Sequence, residues 1–155
     1  MEKHTIEECC EEFLSDQHLK QGMQDLLLFL QELKMKPLWY HKASYKCNYK
    51  SKPVLHINMG KENWLRIRVC LVTVNEMQES ENMDLYMSVL NDDLSVAHEN
   101  YLAGVKSCEW CKGCGGFCEK RKRSYYINNP TKEQFDLIKS FIMARKEFIT
   151  KYYAK

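Results

Sequence analysis

The stretch SYKCNYKSKPVLHINMGKENWLRIRVCLVTV, Ser44–Val74, decides the fold. Its first segment alternates Tyr45, Cys47 and Tyr49 with Ser44, Lys46, Asn48 and Lys50, the two-residue period of a β-strand. In VLHINM, Leu55, Ile57 and Met59 alternate with Val54, His56 and Asn58, and Ser51–Pro53 is a tight connection between the two segments. A turn around Gly60–Asn63 leads to a third segment. There Leu65, Ile67, Val69 and Leu71 share one face, and Trp64, Arg66, Arg68 and Cys70 share the other. Three strands joined by short connections predict an antiparallel meander with one apolar and one mixed face.

Helical patterns flank this meander. Thr5 and Glu8 have capping-box spacing, which starts a short peripheral helix within residues 1–16. Ser15 or Asp16 caps a second helix that carries Leu19, Met23, Leu26, Leu27, Leu30 and Leu33 at helical spacing. Pro37 is expected to end it, because the residue before proline is pushed out of the helical region. Trp39 and Tyr40 are expected to form one wall of an apolar pocket. Downstream, residues 75–82 read as a polar loop, and residues 84–90 are too short to assign. A helix from Asn91 or Asp92 would carry Leu94, Ala97, Tyr101 and Val105 on one side. RSYYI, Arg123–Ile127, reads as a strand. Thr131 and Gln134 supply a second capping box, and the helix after it turns Phe135, Ile138, Phe141, Ile142, Phe148 and Tyr152 inward. The expected fold is α+β: one domain over residues 1–155, an antiparallel sheet packed against N- and C-terminal helices, and a cysteine-rich basic loop at residues 106–123.

At 155 residues the chain is about one domain long and large enough to bury a core without covalent staples. Apolar residues make up 45% and charged residues 28%, which argues against wholesale disorder. The longest apolar run, Leu26–Leu30, is far short of the roughly 20 residues of a membrane span. The opening MEKHTIEECCEEF is acidic and holds no apolar signal segment. The expectation is a cytoplasmic protein of bacterial style, so the eight cysteines are not read as a disulfide framework.

Four of them, Cys108, Cys111, Cys114 and Cys118, fall in the run CEWCKGCGGFC. Thiolates this close suit a soft or borderline cation, and the intervening glycines let backbone amides turn towards sulfur. CKGCG resembles a zinc knuckle, so the leading expectation is one structural zinc ion on these four residues. So crowded a tetrad is strained, and His98 or Cys70 is the alternative source of one ligand. The spacing is also that of the bacterial ferredoxin run, yet Glu119 stands where proline normally follows, and no second run exists. An iron–sulfur cluster is therefore the lesser metal reading. A thiol redox sensor is the alternative without metal, since basic neighbours favour thiolate. Cys9, Cys10, Cys47 and Cys70 read as small core or sheet residues, with Cys9 and Cys10 pointing in different directions from one helix.

The net charge of +2 hides an asymmetry. Residues 1–100 carry 11 Lys/Arg against 16 Asp/Glu, and residues 101–155 carry 12 against 5. Lys120, Arg121, Lys122 and Arg123 follow the cysteines directly and can attract anions or offset thiolate charge. The mixed face of the meander, with His56, Trp64, Arg66 and Arg68 beside Lys46, Asn48 and Asn58, is a second candidate surface for an anionic ligand or macromolecule. The five histidines are scattered. No nucleophile elbow, phosphate-binding loop, dinucleotide fingerprint or H-E-x-x-H appears, so an enzyme is the weaker reading.

The order of the leucine helix, KPLWYHKASYKCNYKSKPVLHINM, WLRIRVCL, a helix, a strand and TKEQFDLIKSFIMARKEF resembles small uncharacterised bacterial domains of the YdhG-like type. Clostridial-style members of that group carry a cysteine cluster ahead of the last strand. The likeness spans residues 20–150 and rests on layout and on Trp39 followed by Lys42. It implies helices packed on a curved antiparallel sheet, and it implies no activity. The function expected is a small binding or regulatory module.

Overall fold

A computed structural model describes residues 5–70 and 124–153. The elements are α1 (Ile6–Phe13), α2 (Gln17–Glu32), β1 (Leu38–His41), β2 (Ser44–Tyr49), β3 (Lys52–Gly60), β4 (Trp64–Cys70), β5 (Ser124–Asn128) and α3 (Lys132–Tyr152). The five strands form one antiparallel sheet in the order β1-β2-β3-β4-β5. Cys70, the last residue of β4, and Ser124, the first of β5, are register partners. The fold is α+β, as the alternation and capping signals imply. No described helix is long and apolar enough to cross a membrane.

Each helix starts where its cap predicts. Thr5 accepts from the Glu8 N–H at 3.1 Å. Asp16, rather than Ser15, caps α2 by accepting from the His18 and Leu19 amides at 2.8 and 3.3 Å. Thr131 and Gln134 close both halves of their box, at 3.2 and 2.9 Å. The end of α2 departs from expectation. It stops at Glu32, ahead of Pro37, because Lys34 turns left-handed (φ 59°). The Met35 and Lys34 amides then donate back to the Leu30 and Gln31 carbonyls at 2.9 and 3.0 Å. This double closure satisfies the helix end without help from proline.

The helices cover one face of the sheet: α3 lies on β3 and β4, α1 lies on β3, and α2 packs against α1 and α3. Beneath them Tyr45, Cys47, Leu55, Ile57, Met59, Leu65, Ile67 and Val69 are buried. Opposite these, α2 contributes Leu19, Met23, Leu26 and Leu30, and α3 contributes Phe135, Ile138, Phe141, Ile142 and Phe148. Leu27, Leu33 and Tyr152 are half-buried at the edge. Burying each large apolar side chain stabilises the fold by about 1.5–3 kcal/mol.

Three features escape the simple period. Leu38–His41 is a strand, with Tyr40 as an extra residue between the pairs Trp39–Tyr45 and His41–Ser44. That placement corrects the expected pocket wall. Trp39 packs on the core side and donates its indole N–H to the Lys42 carbonyl, whereas Tyr40 lies against His56. In β3, Cys47 pairs with Leu55 and Asn48 with Pro53, so Val54 is a bulge residue. Val54 is buried beside Leu55, although strict alternation puts it on the mixed face. Finally, Arg145 on α3 has 0% exposure, and its Nε donates to the Pro53 carbonyl at 3.0 Å, next to that bulge.

The expected loop at 75–82, the unassigned segment at 84–90 and the helix from Asn91 or Asp92 lie outside the described residues.

Candidate functional site

Alternation carries one set of side chains to the sheet face away from the helices. Across it run two rows: Leu38, Lys46, His56 and Arg68, and beside them Ser44, Asn58, Arg66 and Asn128. Lys46 is exposed, while His56, Asn58, Trp64, Arg66 and Arg68 are half-buried. Among the described residues, not one of the five strands contains Asp or Glu.

The polar groups of this face are held in defined positions. Arg68 Nη2 lies 3.2 Å from His56 Nε2. Arginine offers only donors, so this contact is a hydrogen bond where Nε2 accepts. The Tyr40 ring packs edge-on against His56, with centroids 5.9 Å apart. Arg66 donates Nε–H to Asn128 Oδ1 at 3.3 Å, and its guanidinium stands 5.2 Å from the Trp64 ring. Gly60 sits opposite Trp64, and a Cβ there would lie 3.0 Å from the indole. Glycine thus lets the indole lie against the neighbouring strand.

This arrangement presents two guanidinium groups, one ammonium and aromatic planes on a rigid pleat. Guanidinium can take a carboxylate or phosphate with two parallel hydrogen bonds, and the aromatic faces can stack a planar group. The sheet brings together the expected His56, Trp64, Arg66 and Arg68. Tyr40 was missed, because its place depends on a strand too short to show alternation. A broader signal was present in the sequence. Between Leu33 and Cys70 there are nine Lys/Arg and only one acid, Glu62, an excess that averaging over residues 1–100 conceals.

The other expected site residues, Cys108, Cys111, Cys114, Cys118, Lys120, Arg121, Lys122 and Arg123, lie outside the described residues, as does His98. Among the described residues no three His, Cys, Asp or Glu side chains are grouped to hold a metal ion. The four outlying cysteines are all buried, and none is in a disulfide. Cys9 and Cys10 are neighbours on α1 that reach different strands. Cys9 Sγ is 3.1 Å from Tyr45 Oη, and Cys10 Sγ is 3.8 Å from Met59 Sδ. Burial pushes the Cys10 thiol up to about 12, with Cys9 and then Glu7 adding to the effect. Burial alone pushes Cys47 to about 12. Tyr45 is likewise raised, first by burial and then by its hydrogen bond with Cys9. Cys10 and Cys47 are therefore neutral packing groups with little thiolate to offer an oxidant.

No family model matches the chain, and neither does any curated protein or solved structure.

Proposed function

We propose that the protein is a small cytoplasmic, bacterial-type binding module whose second sheet face takes an anionic ligand, without itself performing chemistry. The observation that carries this reading is the sheet face on which Lys46, His56, Arg66, Arg68 and Trp64 stand together, on described strands that hold no Asp or Glu. A concentration of fixed positive charge on a rigid sheet attracts anions, and immobilised guanidinium groups lose little freedom when they bind one. In the same proposal one zinc ion, held by Cys108, Cys111, Cys114 and Cys118, orders the basic segment Lys120–Arg123. Thiolate spacing supports zinc over an iron–sulfur cluster. The YdhG-like layout adds no activity to this reading.

Retention on a polyphosphate matrix across a salt gradient tests it. Arg66→Gln with Arg68→Gln should elute at markedly lower salt than the unmodified protein, with unchanged zinc content and thermal stability. Elution of the double variant at the original salt would refute a role for the face. If retention falls instead only with Arg121→Glu and Arg123→Glu, binding belongs to the basic segment alone.

A thiol redox sensor is the competing reading. Burial of Cys9, Cys10, Cys47 and Cys70 leaves that role to the four clustered cysteines. One rapidly alkylated thiol in the protein as isolated would favour it, whereas thiols protected until a chelator is added would favour structural metal.

A further inference from the structure

A second basic site lies at the far end of the sheet, and it does not rest on the face described above. The C-terminal end of α2, the β2–β3 turn and the last turns of α3 border an open cavity of about 440 Å³. Lys34, Lys50 and Lys146 line it together with Asn48 and Tyr49, and Glu32 is the one acid on its wall. These three lysines come from three different elements, so the tertiary fold brings them together. Two of them converge on the same ring: Lys50 Nζ lies 5.4 Å and Lys146 Nζ 5.6 Å from the centre of Tyr49. The Tyr49 phenol is pulled below its ordinary value by the Thr150 side chain, and the charges of Lys50 and Lys146 add to this against the opposing effect of burial.

The backbone at two of these lysines is informative. Lys34 and Lys50 both adopt the left-handed region, with φ of 59° and 49°. Lys34 occupies the helix-ending position where glycine is the common residue. Lys50 and Ser51, at φ 49° and 65°, occupy the paired left-handed positions of a tight hairpin turn, where Asn-Gly is preferred. Lys42, Glu62 and Asn63 are left-handed elsewhere, so conformation alone does not mark a site. Here, though, both strained residues send an ammonium-bearing chain to one cavity.

We infer that this cavity binds a small, multiply charged phosphate-bearing anion, which Lys34, Lys50 and Lys146 clamp over the Tyr49 ring. Three compact ammonium groups suit the spread oxygens of linked phosphates. Glu32 leaves the wall net positive and sets a limit on affinity.

Calorimetric titration of the full chain with inorganic pyrophosphate at low ionic strength tests the inference. One saturable site is expected. Lys34→Gly, Lys50→Asn and Lys146→Gln should each weaken it about tenfold, the loss of one charge-assisted contact. Glu32→Gln should tighten it. The first two substitutions place better-suited residues at left-handed positions, so their melting temperatures should hold or rise while binding falls. That opposition separates loss of the site from loss of the fold. Unchanged affinity in the triple lysine variant overturns the inference, as does the absence of saturable binding. Binding lost only with Arg66→Gln and Arg68→Gln overturns it too, and would assign pyrophosphate to the sheet face.

Discussion

Gly22→Ala reverses the usual sign of a helix substitution. In an unhindered helix interior, alanine is about 1 kcal/mol more favourable than glycine. Gly22 lies within α2 where that helix meets α3, and a Cβ built there would stand 2.2, 2.5 and 2.6 Å from three atoms of the Phe135 ring. Phe135 is itself only 3% exposed and packs edge-on against His18, so the ring has little room to turn aside. Overpacking of this kind costs about 1–3 kcal/mol. Subtracting the propensity gain leaves a destabilisation of roughly 1 kcal/mol, or about 2–4 °C in Tm for a chain of this size. Urea unfolding of the single variant, and of the same change in a Phe135→Leu background, measures it. In the smaller background the clash is relieved and alanine should become neutral or stabilising. A Gly22→Ala protein more stable than the parent, or an equal effect in both backgrounds, would refute this account of helix contact.

Other consequences concern the core and the turns. Cys10 and Cys47 have folded-state pKa values of about 12 against 9.0 when unfolded. Their stabilising contribution is fully present below pH 9.0 and is lost as pH rises through the window to about 12, so denaturation midpoints should fall steadily across it. Arg145→Met removes the hydrogen bond to the half-buried Pro53 carbonyl, at a cost of roughly 1–3 kcal/mol in urea unfolding. Asn63 Oδ1 accepts from the Ser15 and Asp16 amides, both at 3.0 Å, from a left-handed backbone. Asn63→Ala should cost about 1–2 kcal/mol and loosen the α1–α2 junction, read as faster amide exchange at those two positions. Elemental analysis should find about one zinc per chain, and Cys111→Ser with Cys114→Ser should abolish it. A strongly coloured anaerobic preparation would favour iron–sulfur instead.

Local chemistry made much of the fold legible in advance. Alternation from Ser44 to Cys70 located three strands, and side-chain oxygens three residues ahead of an acceptable amide located the helix starts. What escaped required knowledge of the pairing. Four residues, Leu38–His41, cannot display a period while one of them is an extra residue in the ladder. A bulge at Val54 likewise changes one side chain's face without leaving a mark on its neighbours' polarity. Arg145 was within reach, because it shares a helical stripe with Phe141, Ile142, Phe148 and Ile149, but a charge on that stripe reads as exposed until its carbonyl partner is known. At the candidate site, Arg66, Arg68 and His56 were legible by alternation alone. The third lysine of the end cavity was not, since Lys146 follows Lys50 at a distance only the tertiary fold can close.

The pairing of Cys70 with Ser124 has a consequence for how this chain tolerates change. Both ends of the intervening stretch are anchored at neighbouring positions of one ladder, so the sheet sees residues 71–123 as the connection of a hairpin. Closing a flexible connection costs only about 0.6 kcal/mol more for each doubling of its length. Any flexible segment lengthened between two such anchors would therefore add little to the cost of closing the ladder.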